Sequence, residues 1–328
     1  MKRKVIFDTD PGIDDAIALL TLLNSDMFDV LGITTVAGNK GIEHTTTNAN
    51  KIVTYMNQSI PIYQGAYSRY PVVKENKPSD HLDGGDVHGK DGLGGIDLKV
   101  NPELFKQESA IDFLVRCALE FPNEVEIISV GPMSNLALAI EQDEAAMRQI
   151  KKIWSMGGGV RRGNVTPVAE FNYWFDPDAV EKVYSIGDEV PIVMIGLDAT
   201  HQCIFDMNDL TFMKLACGPN GEMMAHMVND YVKAYWTVNG YIGVVIHDLI
   251  AVLAAMDEDI CTTLTHTHLD IVMGGKAHGQ CLVDLVDSWK KPKNAFVCMD
   301  LDVRKCKEMF LKTCFTKEVM ERYREVFP

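Results

Sequence analysis

The sequence predicts an α/β fold in a single domain, with a mostly parallel central sheet flanked on both faces by helices. Three observations predict it. Short β-rich runs alternate with amphipathic stretches through the first two-thirds of the chain. No internal repeat, low-complexity tract or Pro/Ser linker divides its 328 residues. Carboxylates and amides gather where predicted strands end, the edge at which open α/β sheets bind ligands.

Residues 4–7 form the first predicted strand, and the helix after it sets Ile13, Ala16, Leu19, Leu20 and Leu23 near the 3.6-residue repeat of one apolar face. Residues 30–36 are the next strand and 44–55 the next helix. Beyond them come a helix over 109–121, a strand over 125–130, a helix from Ser134, a strand over 152–156, a helix from Pro177 and a strand over 191–195. The last third is more helical, over 208–215, 222–236 and 249–256, and then returns to short strands near 269–273 and 280–283.

A composition of 47% hydrophobic and 23% charged residues is globular, with ample apolar material for a core. The net charge of −15 repels phosphate backbones and anionic bilayers, so neither nucleic acid nor membrane is an expected partner. Small molecules or proteins remain. No apolar run approaches the ~18 residues of a membrane span; the longest, 244–256, is interrupted by His247 and Asp248. The basic start, Met1-Lys2-Arg3-Lys4, precedes only Val5-Ile6-Phe7 before Asp8, too short for a secretory apolar region. Eight scattered cysteines without a C-x-x-C suit free thiols in a reducing compartment, and the expected location is cytoplasmic.

One segment is irregular. Residues 79–95, SDHLDGGDVHGKDGLGG, hold six glycines in 17 residues, and a loop this long inside a compact domain is usually functional or disordered. Glycines flanking Asp83, Asp86, His88 and Asp91 suggest a lid over a site; the alternative is a surface excursion.

The most informative stretch is Asp8-Thr9-Asp10-Pro11-Gly12-Ile13-Asp14-Asp15, with four carboxylates where a strand gives way to a helix. Pro11-Gly12 makes a tight turn there, Pro fixing φ and Gly relieving steric limits. Asp14 and Asp15 then fall in the first helical turn, where the helix dipole favours each by only ~0.3–1 kcal/mol, less than crowded like charges lose by repulsion. A cation is expected among them. Oxygen ligands select a hard ion, Ca²⁺ or Mg²⁺, over zinc or copper. Adjacent helical residues point about 100° apart, so Asp15 can ligate the ion while Asp14 faces a substrate. A helix cap and solvated helix start would explain one or two of these acids, not four. Calcium takes ~6–8 oxygens, so distant residues must contribute. Asp248, after His247 at the start of an apolar helix, is one candidate, although Asp there is also an ordinary helix cap.

Other strand ends carry neutral polar groups: Asn39 after the second strand, then Asn164, Glu170 and Asn172 after Met156-Gly157-Gly158-Gly159. These glycines do not fit G-x-G-x-x-G, and neither a phosphate-binding G-x-x-x-x-G-K-[ST] nor a G-x-S-x-G occurs. Amides and carboxylates beside a hard metal suit a polyhydroxylated ligand such as a sugar better than a phosphate. Tyr231 and Tyr235, one helical turn apart before His247, can stack on or hydrogen-bond an aromatic ligand, or simply pack.

The run from Asp8 to Ala16 resembles the N-terminal signature of the inosine–uridine-preferring nucleoside hydrolase family. The similarity continues in order through Thr34–Asn39, 88–94, Gly131-Pro132-Met133-Ser134-Asn135, Met156–Gly159, Glu170-Phe171-Asn172 and His247-Asp248. The resemblance implies a Rossmann-like nucleoside hydrolase fold that cleaves ribonucleosides to base and ribose, in salvage or catabolism. It implies one Ca²⁺ per subunit, held by Asp10, Asp15, Asp248 and the Val130 carbonyl. It further implies Asp14, Asn39, Asn164, Glu170 and Asn172 on the ribose hydroxyls, Met156 lining the pocket, and Asp10 as general base. His247, with His88 on the lid, would lie near the leaving base, and a homodimer or homotetramer is the expected assembly. Two other readings stand beside it. Asp8-Thr9-Asp10 is similar to the D-x-D loop of haloacid-dehalogenase-type, Mg²⁺-dependent phosphohydrolases, although Gly12 stands where that loop expects Thr or Val and no lysine clearly serves a phosphate. A non-catalytic calcium-binding protein would keep the acids without the filled substrate positions.

Overall fold

Phe7 and Val5 point into one apolar core while Ile6, between them, points into another, and that alternation places the first strand at the centre of a sheet buried on both faces. The structure, a computed structural model, describes residues 2–78 and 91–328. Its strands are β1 (Arg3–Thr9), β2 (Phe28–Thr35), β3 (Ile62–Gln64), β4 (Val125–Ser129), β5 (Lys152–Met156), β6 (Ile192–Ile195), β7 (Ile204–Asp206), β8 (Gly243–Val245), β9 (Cys261–Thr267), β10 (Leu269–Ile271), β11 (Cys281–Val283) and β12 (Ala295–Leu301). Eight of them form the main sheet in the order β3-β2-β1-β4-β5-β6-β12-β9. Every pair from β3 to β12 is parallel, and β9 closes the edge antiparallel to β12. The expected α/β architecture with a mostly parallel sheet is the one present.

Two helices set the site. Ile13–Asn24 is buried at every residue but its last, and His247–Met256 at all ten. Helices apolar on all sides must be enclosed, and these two pack against each other on one face of the sheet. Their first turns therefore meet, bringing Asp14 and Asp15 to His247 and Asp248.

The last third departs from expectation. The helix expected over 222–236 is two, Gly218–Met227 and Asn229–Asn239, broken at Val228. The backbone of Gly94 packs on the Met227 carbonyl at that break, a long-range contact that local periodicity does not register. The short strands near 269–273 and 280–283 pair as the β10–β11 ribbon, outside the main sheet. Strands β9 and β12 and the helices Val303–Cys314 and Lys317–Val326 had no counterpart in the sequence reading. Most of the glycine-rich segment, including His88, lies outside the described residues. Among the described residues no helix is long and apolar enough to cross a membrane.

Candidate active site

The chain leaves β1 at Thr9 and turns through Pro11 and Gly12 into the helix Ile13–Asn24. Asp15 fastens this turn. Its Oδ2 accepts from the Gly12 N–H at 2.9 Å, and its Oδ1 accepts from Thr9 Oγ1 at 2.6 Å and the Asp10 N–H at 3.3 Å. Asn39, beyond β2, donates its backbone N–H to Asp10 Oδ2 at 2.6 Å and its amide to Asp15 Oδ2 at 3.2 Å. Two glycine backbones complete the cradle: a Cβ at Gly38 would sit 2.1 Å from Asp10 Oδ2, and one at Gly131 2.6 Å from Oδ1. Asp10 Oδ1 itself is buried and has no hydrogen-bond partner among the described residues.

Asp10, Asp14, Asp15 and Asp248 are all buried. Asp14, Asp15 and Asp248 each bring a carboxylate oxygen within 4.8 Å of the other two. Burial, then the charges of Asp15 and Asp14, push the Asp10 carboxyl well above the usual range. Burial and the facing Asp14, Asp15 and Asp10 do the same to Asp248, and burial lifts Asp14 to about 6. A protein places acids in this way when a cation or protons offset them. The donor set is all oxygen and includes one buried oxygen with no protein partner, which fits a hard divalent cation.

The remaining strand ends supply the rest. Past β4, the Val130 carbonyl accepts from Asn172 Nδ2 at 2.8 Å and keeps a second lone pair. Past β5, Glu170 caps the helix Phe171–Phe175, accepting from the N–H groups of Asn172, Tyr173 and Gly158 at 2.9, 3.2 and 2.8 Å. Burial outweighs those bonds and raises Glu170 to about 7. Asn164 holds the same turn by accepting from the Phe171 N–H at 3.0 Å. Helix Asn229–Asn239 contributes Tyr231, whose hydroxyl lies 3.4 Å from Asp14 Oδ2, and Tyr235, whose hydroxyl lies 2.7 Å from His247 Nε2.

A cavity of about 320 Å³ is lined by Asp14, Asn39, Val130, Met156, Asn164, Glu170, Asn172, Tyr231, Tyr235, His247 and Asp248. Eleven of the fourteen residues singled out in the sequence thus line one cavity. Asp10 and Asp15 sit behind Asn39, which donates to both, and His88 is outside the described residues. The lining combines acids and amides with tyrosines and histidines, and the two kinds meet where the Tyr231 hydroxyl reaches Asp14.

A family model described as inosine-uridine preferring nucleoside hydrolase matches residues 5–308. The chain belongs to this family. The pyrimidine-specific ribonucleoside hydrolase RihB of Shigella sonnei is 31% identical over 320 residues, covering 95% of this chain and 99% of that one; RihB of Escherichia coli gives the same figures. Among solved structures, a plant nucleoside hydrolase superposes with TM-score 0.89 at 26% identity, over 96% of this chain and 99% of that one. A purine-preferring ribonucleoside hydrolase from Gardnerella vaginalis gives 0.87 at 27%, over 98% and 100%. Members of the family are N-ribohydrolases, so this nucleoside hydrolase is a glycosidase, and the phosphohydrolase reading of Asp8-Thr9-Asp10 falls. In the structure Asp8 faces away from the cavity chemistry: its carboxylate accepts from Thr34 and Asn135 at 2.7 Å each and from Ser129 at 3.3 Å, knitting β1 to its neighbours.

The sequence reading missed Thr200 and His201. They follow β6, at the same sheet edge as the other site residues, and that position was the available signal. Thr200 Oγ1 lies 2.8 Å from His247 Nδ1, and the His201 ring stands edge-on to the His247 ring at 5.1 Å.

Proposed function

We propose that this nucleoside hydrolase cleaves the N-glycosidic bond of ribonucleosides with the help of one bound Ca²⁺, releasing free base and ribose for salvage or catabolism. The observation that carries the proposal is the buried cluster of acids around Asp10, whose Oδ1 has no partner among the described residues, beside a cavity that is also lined by tyrosine and histidine. Asp10, Asp15, Asp248 and the Val130 carbonyl would hold the ion, with Asp14 close enough to share it or to bind the sugar. Bound calcium supplies Lewis acidity that orients vicinal hydroxyls and eases deprotonation of water.

The chain's own groups account for the remaining chemistry. Asn39, Asn164, Glu170 and Asn172 offer donors and acceptors matched to ribose hydroxyls, and Met156 supplies apolar contact. Asp10 takes the proton of the attacking water at Oδ1 as oxygen bonds to C1′ and the bond from C1′ to the base nitrogen breaks. The sugar passes through an oxocarbenium-like state, and the surrounding carboxylates stabilise its positive charge. The bonding electrons leave with the base. Thr200 Oγ1 lies 2.8 Å from His247 Nδ1 and the Tyr235 hydroxyl 2.7 Å from His247 Nε2, and this relay would supply the proton that the departing base takes. That relay suits purines, which leave poorly as anions, more than uracil.

The eight described cysteines are all free and buried, which supports the proposed cytoplasmic site of action. The test is release of reducing sugar from a panel of ribonucleosides and deoxyuridine, with and without Ca²⁺. Cleavage of the ribonucleosides but not deoxyuridine is expected. Efficient cleavage of deoxyuridine contradicts the 2′-hydroxyl geometry, and tight Ca²⁺ binding without turnover contradicts the enzyme.

A further inference from the structure

We infer that His201 is a base-recognition residue: its imidazole hydrogen-bonds the nucleobase held beside Tyr235 and His247 in the cavity and so sets which bases are cleaved. This rests on the ribonucleoside hydrolase reading given above.

The position of His201 is built in. The short helix Leu197–Thr200 hangs from the end of β6, its Leu197 N–H donating to the Gly158 carbonyl at 2.9 Å, and the His201 N–H closes it on the Leu197 carbonyl at 3.2 Å. The two residues at its end divide the work. Thr200 holds His247 from behind, while His201 presents its ring to the cavity, 5.1 Å and 71° from His247 and 6.4 Å and 55° from Tyr235.

The hydrogen-bond inventory separates the two histidines. Both ring nitrogens of His247 are engaged, one by Thr200 and one by Tyr235. The His201 ring makes no hydrogen bond to any described residue, although it lies against a cavity wall. Polar groups in such places are normally satisfied, by ligand or water where the protein offers nothing. His201 neighbours Tyr235 and His247, the pair placed beside the leaving base in the reading above, so the group within reach of His201 is the base.

Charge fixes the kind of contact. Burial, with the Arg162 guanidinium adding to it, pushes the His201 ring down to about 4. Near neutral pH it is uncharged and offers one N–H and one lone pair. An uncharged imidazole reads a donor–acceptor edge without being a proton source, which leaves protonation of the base to the Tyr235–His247 pair. Bases that differ in that edge should be discriminated by KM and kcat/KM together.

The test compares the wild type, H201F and H201Q on inosine, adenosine, cytidine and uridine, and on 4-nitrophenyl β-D-ribofuranoside, which carries ribose but no nucleobase. H201F should lower kcat/KM on the nucleosides by about ten- to a hundred-fold, mainly through KM and unequally among the bases. The loss on the nitrophenyl riboside should be at least ten-fold smaller. H201Q, which keeps a donor and an acceptor and serves if the phenylalanine variant folds poorly, should recover activity on some bases. Equal losses on both substrate classes, or unchanged nucleoside kinetics in both variants, overturn the inference while leaving the hydrolase intact. A wild type that releases ribose from neither class overturns the hydrolase reading and this inference with it.

Discussion

The backbone N–H of Asn39 donates to Asp10 Oδ2 at 2.6 Å, so one oxygen of that carboxylate holds the loop while the other, Oδ1, is kept buried without a partner. An oxygen in that condition is suited to take a proton. Asp10→Ala should retain the fold by circular dichroism and lose roughly three orders of magnitude or more in kcat on uridine. Near-normal turnover would remove Asp10 from the role of base.

Chelation should act on stability as well as rate. With Ca²⁺ bound as proposed, stripping it with EGTA would leave Asp10, Asp14, Asp15 and Asp248 buried together without a neutralising ion. Activity should vanish, Tm should fall by several degrees, and added Ca²⁺ should restore both. Unchanged Tm and activity after exhaustive chelation would show that protons alone settle the cluster.

The Tyr235–His247 contact predicts a split by leaving group. His247→Ala and Tyr235→Phe should each cost inosine about ten-fold or more beyond what they cost uridine, because a general acid typically contributes ~10²-fold or more where the leaving group needs it. Equal losses on the two nucleosides would take the pair out of leaving-group protonation.

Away from the site, Glu126 predicts an acid limit to stability. Burial alone would raise its carboxyl, but Arg3, Trp154 and Lys151 outweigh burial and hold it at about 2. A depressed folded pKa contributes stability that is present above the unfolded value near 4.5 and lost as pH falls toward 2. Glu126→Gln should therefore cost on the order of 2–3 kcal/mol at pH 7 in urea unfolding, with the gap to wild type closing below pH 3. A gap independent of pH would assign the loss to packing instead.

Much of this was legible in the residues because local chemistry was unambiguous there. Four acids around Pro11-Gly12 signal a strand end, and the apolar run of Ile13–Asn24 signals a buried helix. The misses have physical reasons. Strand β9, with the run Thr-Thr-Leu-Thr-His, is a half-exposed edge strand whose pairing comes only from β12, so it lacks the apolar signature of a buried strand. The break at Val228 lies beside the Gly94 backbone, a long-range neighbour that local periodicity does not reveal. Thr200 and His201 acquire their roles from His247, 47 residues beyond Thr200, and a hydroxyl beside an imidazole in sequence carries no sign of that meeting.

The helices Ile13–Asn24 and His247–Met256 are apolar on every side and begin at the carboxylates they carry. The placement of those acids at the cavity is therefore governed by side chains deep behind them, such as Ile17 and Leu253 in their shared cluster. One residue of axial slip moves a helix about 1.5 Å, and a misplacement of about 1 Å can cost a catalytic site ~10²-fold. Drift in this hidden seam, at positions no nucleoside ever touches, would be felt as slower turnover well before the protein came apart.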